Sequence, residues 1–393
     1  MRTRTGIVFA LLLAAGTVAL QGSTELPSGA TGTQTSLTGL SCVGSSFCEA
    51  VGSTTFGSTT STVTESWNGG TWTSQPQAST ASTTAVLSSV SCTSSSQCLA
   101  VGQSDLEPLS EEWNGATWSV LSTPELSTSL SSDTLLNGIS CTSTSFCVAV
   151  GGFSNGRIQG YNRGVIEMWN GASWSLWSTK GFPTGELTSV SCTSSTWCEA
   201  TGYSGEWHVG TAPDAVRWNG VKWVVQKVPT VPTVNSFEAV LSSVSCTAKT
   251  ACTAVGHAGH LANPFPTEFD QPLIEQWNGT TWSIQKSIRP AKSARAELTG
   301  VSCTSATACE AVGTDLTHGA TFSETGTASG WTLQTMITPP TGATLGFGAD
   351  VCFSATSCLA IDTASTSPTP TSTYSASYSQ TWDGTVWSAA TNL

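Results

Sequence analysis

The stretch "VSCTSSSQCLAVG", Val90–Gly102, sets two cysteines six positions apart across small polar residues. Nearly the same words return as "LSCVGSSFCEAVG" (Leu40–Gly52) and "VSCTSATACEAVG" (Val301–Gly313). All 14 cysteines fall into pairs of this spacing: Cys42/Cys48, Cys92/Cys98, Cys141/Cys147, Cys192/Cys198, Cys246/Cys252, Cys303/Cys309 and Cys352/Cys358. Successive first cysteines lie 50, 49, 51, 54, 57 and 49 residues apart. A fixed period of this length signals a propeller, a solenoid or an array.

Each unit carries a second word: "WNGGTW" at Trp67, "WNGATW" at Trp113, "WNGASW" at Trp169, "WNGVKW" at Trp218, "WNGTTW" at Trp277 and "WDGTVW" at Trp382, while the sixth unit keeps only "SGW", ending at Trp331. Asn-Gly between β-prone residues is a hairpin signal, because both residues tolerate the positive φ of a tight turn. Each unit therefore reads as four short strands: one into the first Cys, one from the second Cys through "LAVG", one ending at "WNG" and one leaving it.

Seven such units without helical periodicity make an all-β, seven-bladed β-propeller with four antiparallel strands and one intra-blade disulfide per blade. The approximate blades are 36–78, 84–124, 135–180, 185–229, 239–288, 297–338 and 346–393. The phase of the units makes each blade a contiguous piece of chain, so the ring is expected to close by packing between the first and the last. Small residues on the inner strands allow close approach, and the Trp residues fill the widening space between blades. The cysteines close the first hairpin of every blade, with about 2 kcal/mol of chain-entropy stabilisation expected per bridge. A zinc site wants four converging ligands, whereas each pair here sits alone on its blade.

The opening "MRTRTGIVFALLLAAGTVALQGS" places Arg2 and Arg4 before an apolar run from Gly6 to Leu20. It reads as a secretory signal peptide over 1–19, followed by a linker over 20–35, with the propeller at 36–393. The expected product is exported, monomeric and without a membrane span, and its cysteines are oxidised. The formal net charge of -12 becomes -14 without Arg2 and Arg4, and the remaining Lys and Arg are scattered. That argues against nucleic acid as a partner. Nothing in the sequence implies a cofactor, and 16 Trp among 38% hydrophobic residues argue for a packed core.

The pattern L-x-x-V-S-C, A-V-G, W-N-G-x-T-W resembles the BNR or Asp-box class of propellers, which includes sialidases, sortilin-type receptors and photosystem assembly factors. Gly69, Thr71 and Trp72 fit the end of the box, as do Gly115, Thr117 and Trp118, and Gly279, Thr281 and Trp282. The Asp position holds Trp67, Trp113 and Trp277, and Asp383 lies one place too late. The whole unit looks still more like the secreted, cysteine-paired repeat proteins of actinobacteria. The resemblance implies a propeller fold.

A catalytic group is needed once, whereas a structural group is needed in every blade. Glu65, Glu111, Glu167 and Glu275, each two residues before a turn Trp, therefore read as structural or solvated, and the Trp pairs as core and turn clamps. The cysteine hairpins and WNG turns emerge on one face. On the other, the distances from the "AVG" Gly to the next Trp are 15, 11, 18, 16 and 21 in the first five units. Those loops should carry any specificity.

Unit three offers Arg157, Tyr161 and Arg163; unit four Tyr203, Glu206, Trp207 and His208; unit five His257, His260, Glu268 and Asp270. Arg157, Tyr161, Arg163, Tyr203, Trp207 and His208 form the expected binding site for a glycan or protein of the cell envelope. Glu206, Glu268 and Asp270 are the acids an alternative glycoside hydrolase or lyase would use, and His257 with His260 is the weak candidate metal pair. A second alternative is a structural surface protein. Asn278-Gly279-Thr280 matches a glycosylation sequon, but the sister turns repeat Asn-Gly for a turn reason.

Overall fold

The computed structural model of the chain describes residues 33–78, 80, 82–124, 126, 133–154, 163–183, 185–206, 210–229, 237–260, 269–335, 344–369 and 372–393. The first blade is β1 (Thr33–Cys42), β2 (Cys48–Phe56), β3 (Thr59–Trp67) and β4 (Trp72–Ser74). The pattern repeats as β5–β8 (85–121), β9–β12 (133–177), β13–β16 (185–225), β17–β20 (237–285), β21–β24 (296–335) and β25–β28 (344–392). Consecutive strands within each blade are antiparallel neighbours, and no helix occurs among the described residues. The molecule is a seven-bladed β-propeller. Among the described residues no helix is long and apolar enough to cross a membrane.

The second strand of each blade is buried on both faces, so it reads as a continuous run of small and branched residues instead of an alternation. In β6, Cys98, Leu99, Ala100 and Val101 are all within 2% of full burial. The innermost strand carries one extra residue, seen in blade 2 as a register shift between Leu87 and Ser89. Opposite that bulge stands the "AVG" glycine: a Cβ on Gly102 would lie 2.0 Å from the Val86 carbonyl oxygen, so no other residue fits without moving the backbone.

Hydrophobic clusters then join the blades in pairs. Val51 of blade 1 packs with Leu87 and Trp113 of blade 2, Val148 of blade 3 with Trp218 of blade 4, and Val312 of blade 6 with Trp382 of blade 7. The inner strands are also laced by hydrogen bonds. The Ser before the first Cys of one blade accepts the Cys N–H of the next: Cys92 to Ser41, Cys141 to Ser91, Cys192 to Ser140, Cys246 to Ser191, Cys303 to Ser245 and Cys352 to Ser302, at 2.8–3.0 Å. These serines do more than allow close approach. They satisfy backbone donors that the inner strands, with no further strand beside them, would otherwise leave unpaired.

Val351 occupies the corresponding place in blade 7, so the seventh link is made differently. Leu37 and Leu40 pack on Leu359 and Ile361, Trp72 Nε1 donates to Ser379 Oγ at 3.2 Å, and Gln34 forms a single parallel bridge with Ser375. That bridge joins blades 7 and 1 into one eight-stranded sheet, while the other five blades are separate four-stranded sheets. Among the described residues no strand is exchanged: the outer edge of blade 7 is its own chain, with β28 (Thr391–Asn392) on β27 (Ser372–Trp382). The first strand begins at Thr33, inside the stretch read from sequence as linker.

Seven disulfides staple the first hairpins, one per blade, each within its own Cys pair. The two cysteines face each other across neighbouring strands, with Cα atoms 3.9–4.0 Å apart. The pairs close the first hairpin of every blade, as their spacing predicts, and the packing adds a second role. The second cysteine opens the buried second strand: Cys147 is 1% exposed, as is Cys98, while Cys48 and Cys198 are 0% exposed. Cys252, Cys309 and Cys358 are buried as well. The neighbouring blades cover this strand on both faces, so Cys147 packs in one cluster with Leu136, Trp169 and Trp174 and offers no surface to a ligand. It is a staple and a core residue at once.

Candidate functional site

The two ends of the propeller are built differently. At the disulfide end the same construction recurs: Trp113 Nε1 donates to the Ser95 carbonyl of its cysteine hairpin at 3.1 Å, as Trp169 does to Thr144 and Trp218 to Ser195. The paired turn tryptophans lie 5.5–5.9 Å apart, tilted against each other. Asn68 Oδ1 accepts the N–H groups of Gly70 and Thr71, while Gly69 takes φ +93°. In blade 7 Asp383 Oδ1 accepts from Thr385 and Val386 in the same way. The acid that lies one place late for an Asp-box is thus the turn's own cap.

At the opposite end blades 1 and 2 close β2–β3 and β6–β7 with two residues, whereas residues 155–162, 207–209 and 261–268 separate the corresponding strands in blades 3, 4 and 5. Polar side chains from successive blades meet around the inner strands here. Gln103, directly after the "AVG" glycine, donates through Nε2 to the Thr134 carbonyl of blade 3 at 3.0 Å and to Asp133. Asn137 Nδ2 donates to the Leu187 carbonyl of blade 4 at 3.0 Å and to Glu186 Oε1 at 2.5 Å. Tyr203, in the same repeat position as Gln103, donates its hydroxyl to Glu186 Oε2 at 2.9 Å. His257, again in that position, lies with Nδ1 3.8 Å from Glu297 Oε2 of blade 6, an ion-pair distance. Burial raises the Glu186 carboxyl above its ordinary range; the hydrogen bonds from Asn137 and Tyr203 oppose the shift, and the Asp133 charge adds to it.

Of the residues singled out in the sequence, Arg163 is exposed on this end with its guanidinium 5.0 Å over the Phe153 ring. Tyr203 is buried, 4% exposed, because it sits within β14 (Trp197–Glu206) and not in the loop beyond it. Its ring is therefore packing, and only its hydroxyl reaches the polar cluster. Arg157, Tyr161, Trp207, His208 and Glu268 lie outside the described residues, as do the side chains of Glu206, His260 and Asp270. Among the described residues no three His, Cys, Asp or Glu side chains are arranged to hold a metal ion.

Three of the four repeated acids are not solvated, while Glu65 is half-buried. Glu111, Glu167 and Glu275 are fully buried, because the third strands carrying them are covered on both faces by neighbouring blades. Neither carboxyl oxygen of Glu167 or Glu275 has a hydrogen-bond partner among the described residues, and burial pushes each up to about 8. Asp133, Asn137, Glu186 and Glu297 are functional candidates that the sequence reading passed over. The signal for Asp133, Glu186 and Glu297 was the residue after the repeated glycine, where Gln103, Tyr203 and His257 stand in place of small residues.

No family model matches the sequence, and no curated protein matches it. Among solved structures the chain is similar to a GH74 xyloglucanase from Xanthomonas campestris, at 10% identity over 88% of this chain and 55% of that one, with a TM-score of 0.54. It is similar to a PL25 ulvan lyase at 9% identity over 87% and 91% of the two chains, TM-score 0.54. A third similar structure is U3-55K, at 12% identity over 83% and 88%, TM-score 0.53. The xyloglucanase and the lyase are β-propellers, and at these identities the likeness is one of fold.

Proposed function

We propose that this protein is an exported binding module that takes a glycan or protein of the cell envelope at the variable end of blades 3–5. The observation that carries the reading is the inequality of the two ends. At one, a disulfide hairpin recurs in all seven blades and a paired-Trp turn in six, whereas the other gathers unlike polar groups, Gln103, Asp133, Asn137, Glu186, His257 and Glu297, from successive blades. Exposed Arg163 stands beside them, and Arg157, Tyr161, Trp207 and His208 are assigned to the same end by their place in the chain. Aromatic rings stack on the apolar face of a sugar or anchor a protein side chain, and the surrounding carboxylates and amides accept and donate to hydroxyls. Seven disulfides accord with an oxidising, extracellular location and so with a signal peptide at 1–19. The Asn-capped turn supports kinship with Asp-box propellers, with Asn68 and its counterparts taking over the role of the box acid.

The test is a screen of the mature protein on a glycan array and against an envelope extract, repeated with Trp207→Ala, Tyr161→Ala and Arg163→Ala after circular dichroism shows the fold retained. Loss of an anchor lowers affinity about tenfold or more. Binding unchanged in all three folded variants would move the site elsewhere, and no binding at all would favour a structural role. Glu186, an acid whose carboxyl burial raises above its ordinary range beside Asp133 and Tyr203, is the observation that favours the hydrolase or lyase alternative. Turnover of an envelope polysaccharide that disappears in Glu186→Gln would establish it.

A further inference from the structure

At the disulfide end neighbouring blades meet over a seam that two side chains fill in blades 1–4. One is the residue before the second Cys of the leading blade: Phe47, Gln97, Phe146 and Trp197 in blades 1–4. The other is the first turn Trp of the following blade. Phe47 packs in the cluster that holds Trp113, Phe146 in that of Trp218 and Trp197 in that of Trp277, while Gln97 reaches Glu112 at 3.2 Å. Between blades 5 and 6 both fillers are missing. The residue before Cys252 is Ala251, and Gly326 pairs with Cys309 where Trp277 pairs with Cys252.

The volumes follow these substitutions. The slot between blades 2 and 3, where Gln97 and Trp169 are both present, encloses about 10 Å³. Between blades 6 and 7 the leading residue is Ala308 but Trp382 remains, and the slot holds about 120 Å³. Between blades 5 and 6 it holds about 220 Å³. Thr250, Thr253, Gln276 and Ser283 of blade 5 and Ser305 and Ala306 of blade 6 line it. Ala306 holds the place whose carbonyl, in blades 1–5, accepts the indole N–H of the first Trp, as Lys249 does from Trp277 at 3.1 Å. Gln276 stands where Arg217 of blade 4 lies over the Trp277 ring at 5.5 Å.

From this we infer that the slot between blades 5 and 6 is a binding pocket for one planar aromatic ring carrying an N–H or O–H donor on its edge, an indole or a phenol. The wall that receives an aromatic side chain in the sister blades is retained, and the ring comes from outside the chain. The pocket lies at the opposite end from the site proposed above and does not depend on it.

The test uses fluorine NMR of 5-fluoroindole, and of N-acetyl-5-fluorotryptophanamide, titrated with the mature disulfide-bonded protein. Either probe should show saturable line broadening, and binding of both would identify a side chain on a polypeptide as a competent source of the ring. Ala251→Trp puts back the leading filler from a half-buried hairpin position, and Gly326→Trp puts back the turn Trp. The second needs Trp331 to yield, since a Cβ at 326 comes 2.9 Å from its ring. Each variant, checked for fold by circular dichroism, should weaken binding about tenfold or more, as filling a pocket does. Ala308→Trp fills the neighbouring slot and should leave binding unchanged. No saturable binding of either probe to the wild type, undiminished binding in folded Ala251→Trp, or loss confined to Ala308→Trp would overturn the assignment.

Discussion

Replacing Glu167 by Val should make the protein more stable at pH 8 and slightly less stable at pH 4. Glu167 is fully buried in blade 3, neither of its oxygens has a partner among the described residues, and burial raises its carboxyl from 4.5 to about 8. In the unfolded chain the group ionises near 4.5. Between that value and about 8 the folded protein keeps a proton that the unfolded chain releases, so stability falls as pH rises through this window. At about 1.4 kcal/mol per unit of pH, the penalty is negligible at pH 4 and reaches about 4 kcal/mol by pH 8 as an upper bound. Against this stands the loss of packed side-chain volume, about 1–1.5 kcal/mol for a small truncation in a core. Blade 4 carries Val216 in the same repeat position, fully buried, so the backbone accepts this side chain. The net expectation is a gain of about 1–3 kcal/mol at pH 8 and a loss of about 1 kcal/mol at pH 4. Urea unfolding followed by Trp fluorescence at pH 4, 6 and 8, with the disulfides intact, reads the difference. A change that is the same at all three pH values would refute the assignment of an unpaired, protonated carboxyl at this position.

Ser191→Ala removes the acceptor for the Cys246 N–H and should cost about 1–2 kcal/mol in the same unfolding assay, whereas a neutral result would mean that the inter-blade serines are spacers only. Replacing Cys192 and Cys198 together by Ala should lower stability by about 2 kcal/mol and leave the other six bridges intact on non-reducing peptide mapping. Scrambled pairing in that variant would mean that the hairpins do not form independently. Tyr203→Phe takes one donor from Glu186, so the carboxyl should titrate at a still higher pH by carbon-13 NMR; an unmoved titration would contradict the hydrogen bond.

The blades were legible because cysteine spacing and Asn-Gly turns are local chemistry: Cys92 and Cys98 can meet only across a hairpin, and Gly115 at φ +93° states its turn in one letter. Partnership between blades was not legible. Ser91 looks like any small residue until the Cys141 N–H is seen 3.0 Å away, 50 positions on. The burial of Glu167 and of Cys147 was hidden for the same reason, since their faces are closed by strands from other repeats. Tyr203 looked like a loop residue because the strand runs on past the "ATG" glycine to Glu206. The fillers before the second Cys, from Phe47 to Ala251, stood in plain view. Their meaning depends on the slot they face, which only the packing of neighbouring blades defines.

The central claim is that ligand is taken at the variable end of blades 3–5. Hydrogen–deuterium exchange on the mature protein, with and without the glycan or envelope protein captured in the screen, tests it most directly. Protection should appear in 155–163, 203–210 and 257–270, with the cysteine hairpins and WNG turns unchanged. Protection confined to those hairpins and turns, with the three variable segments exchanging as before, would contradict it.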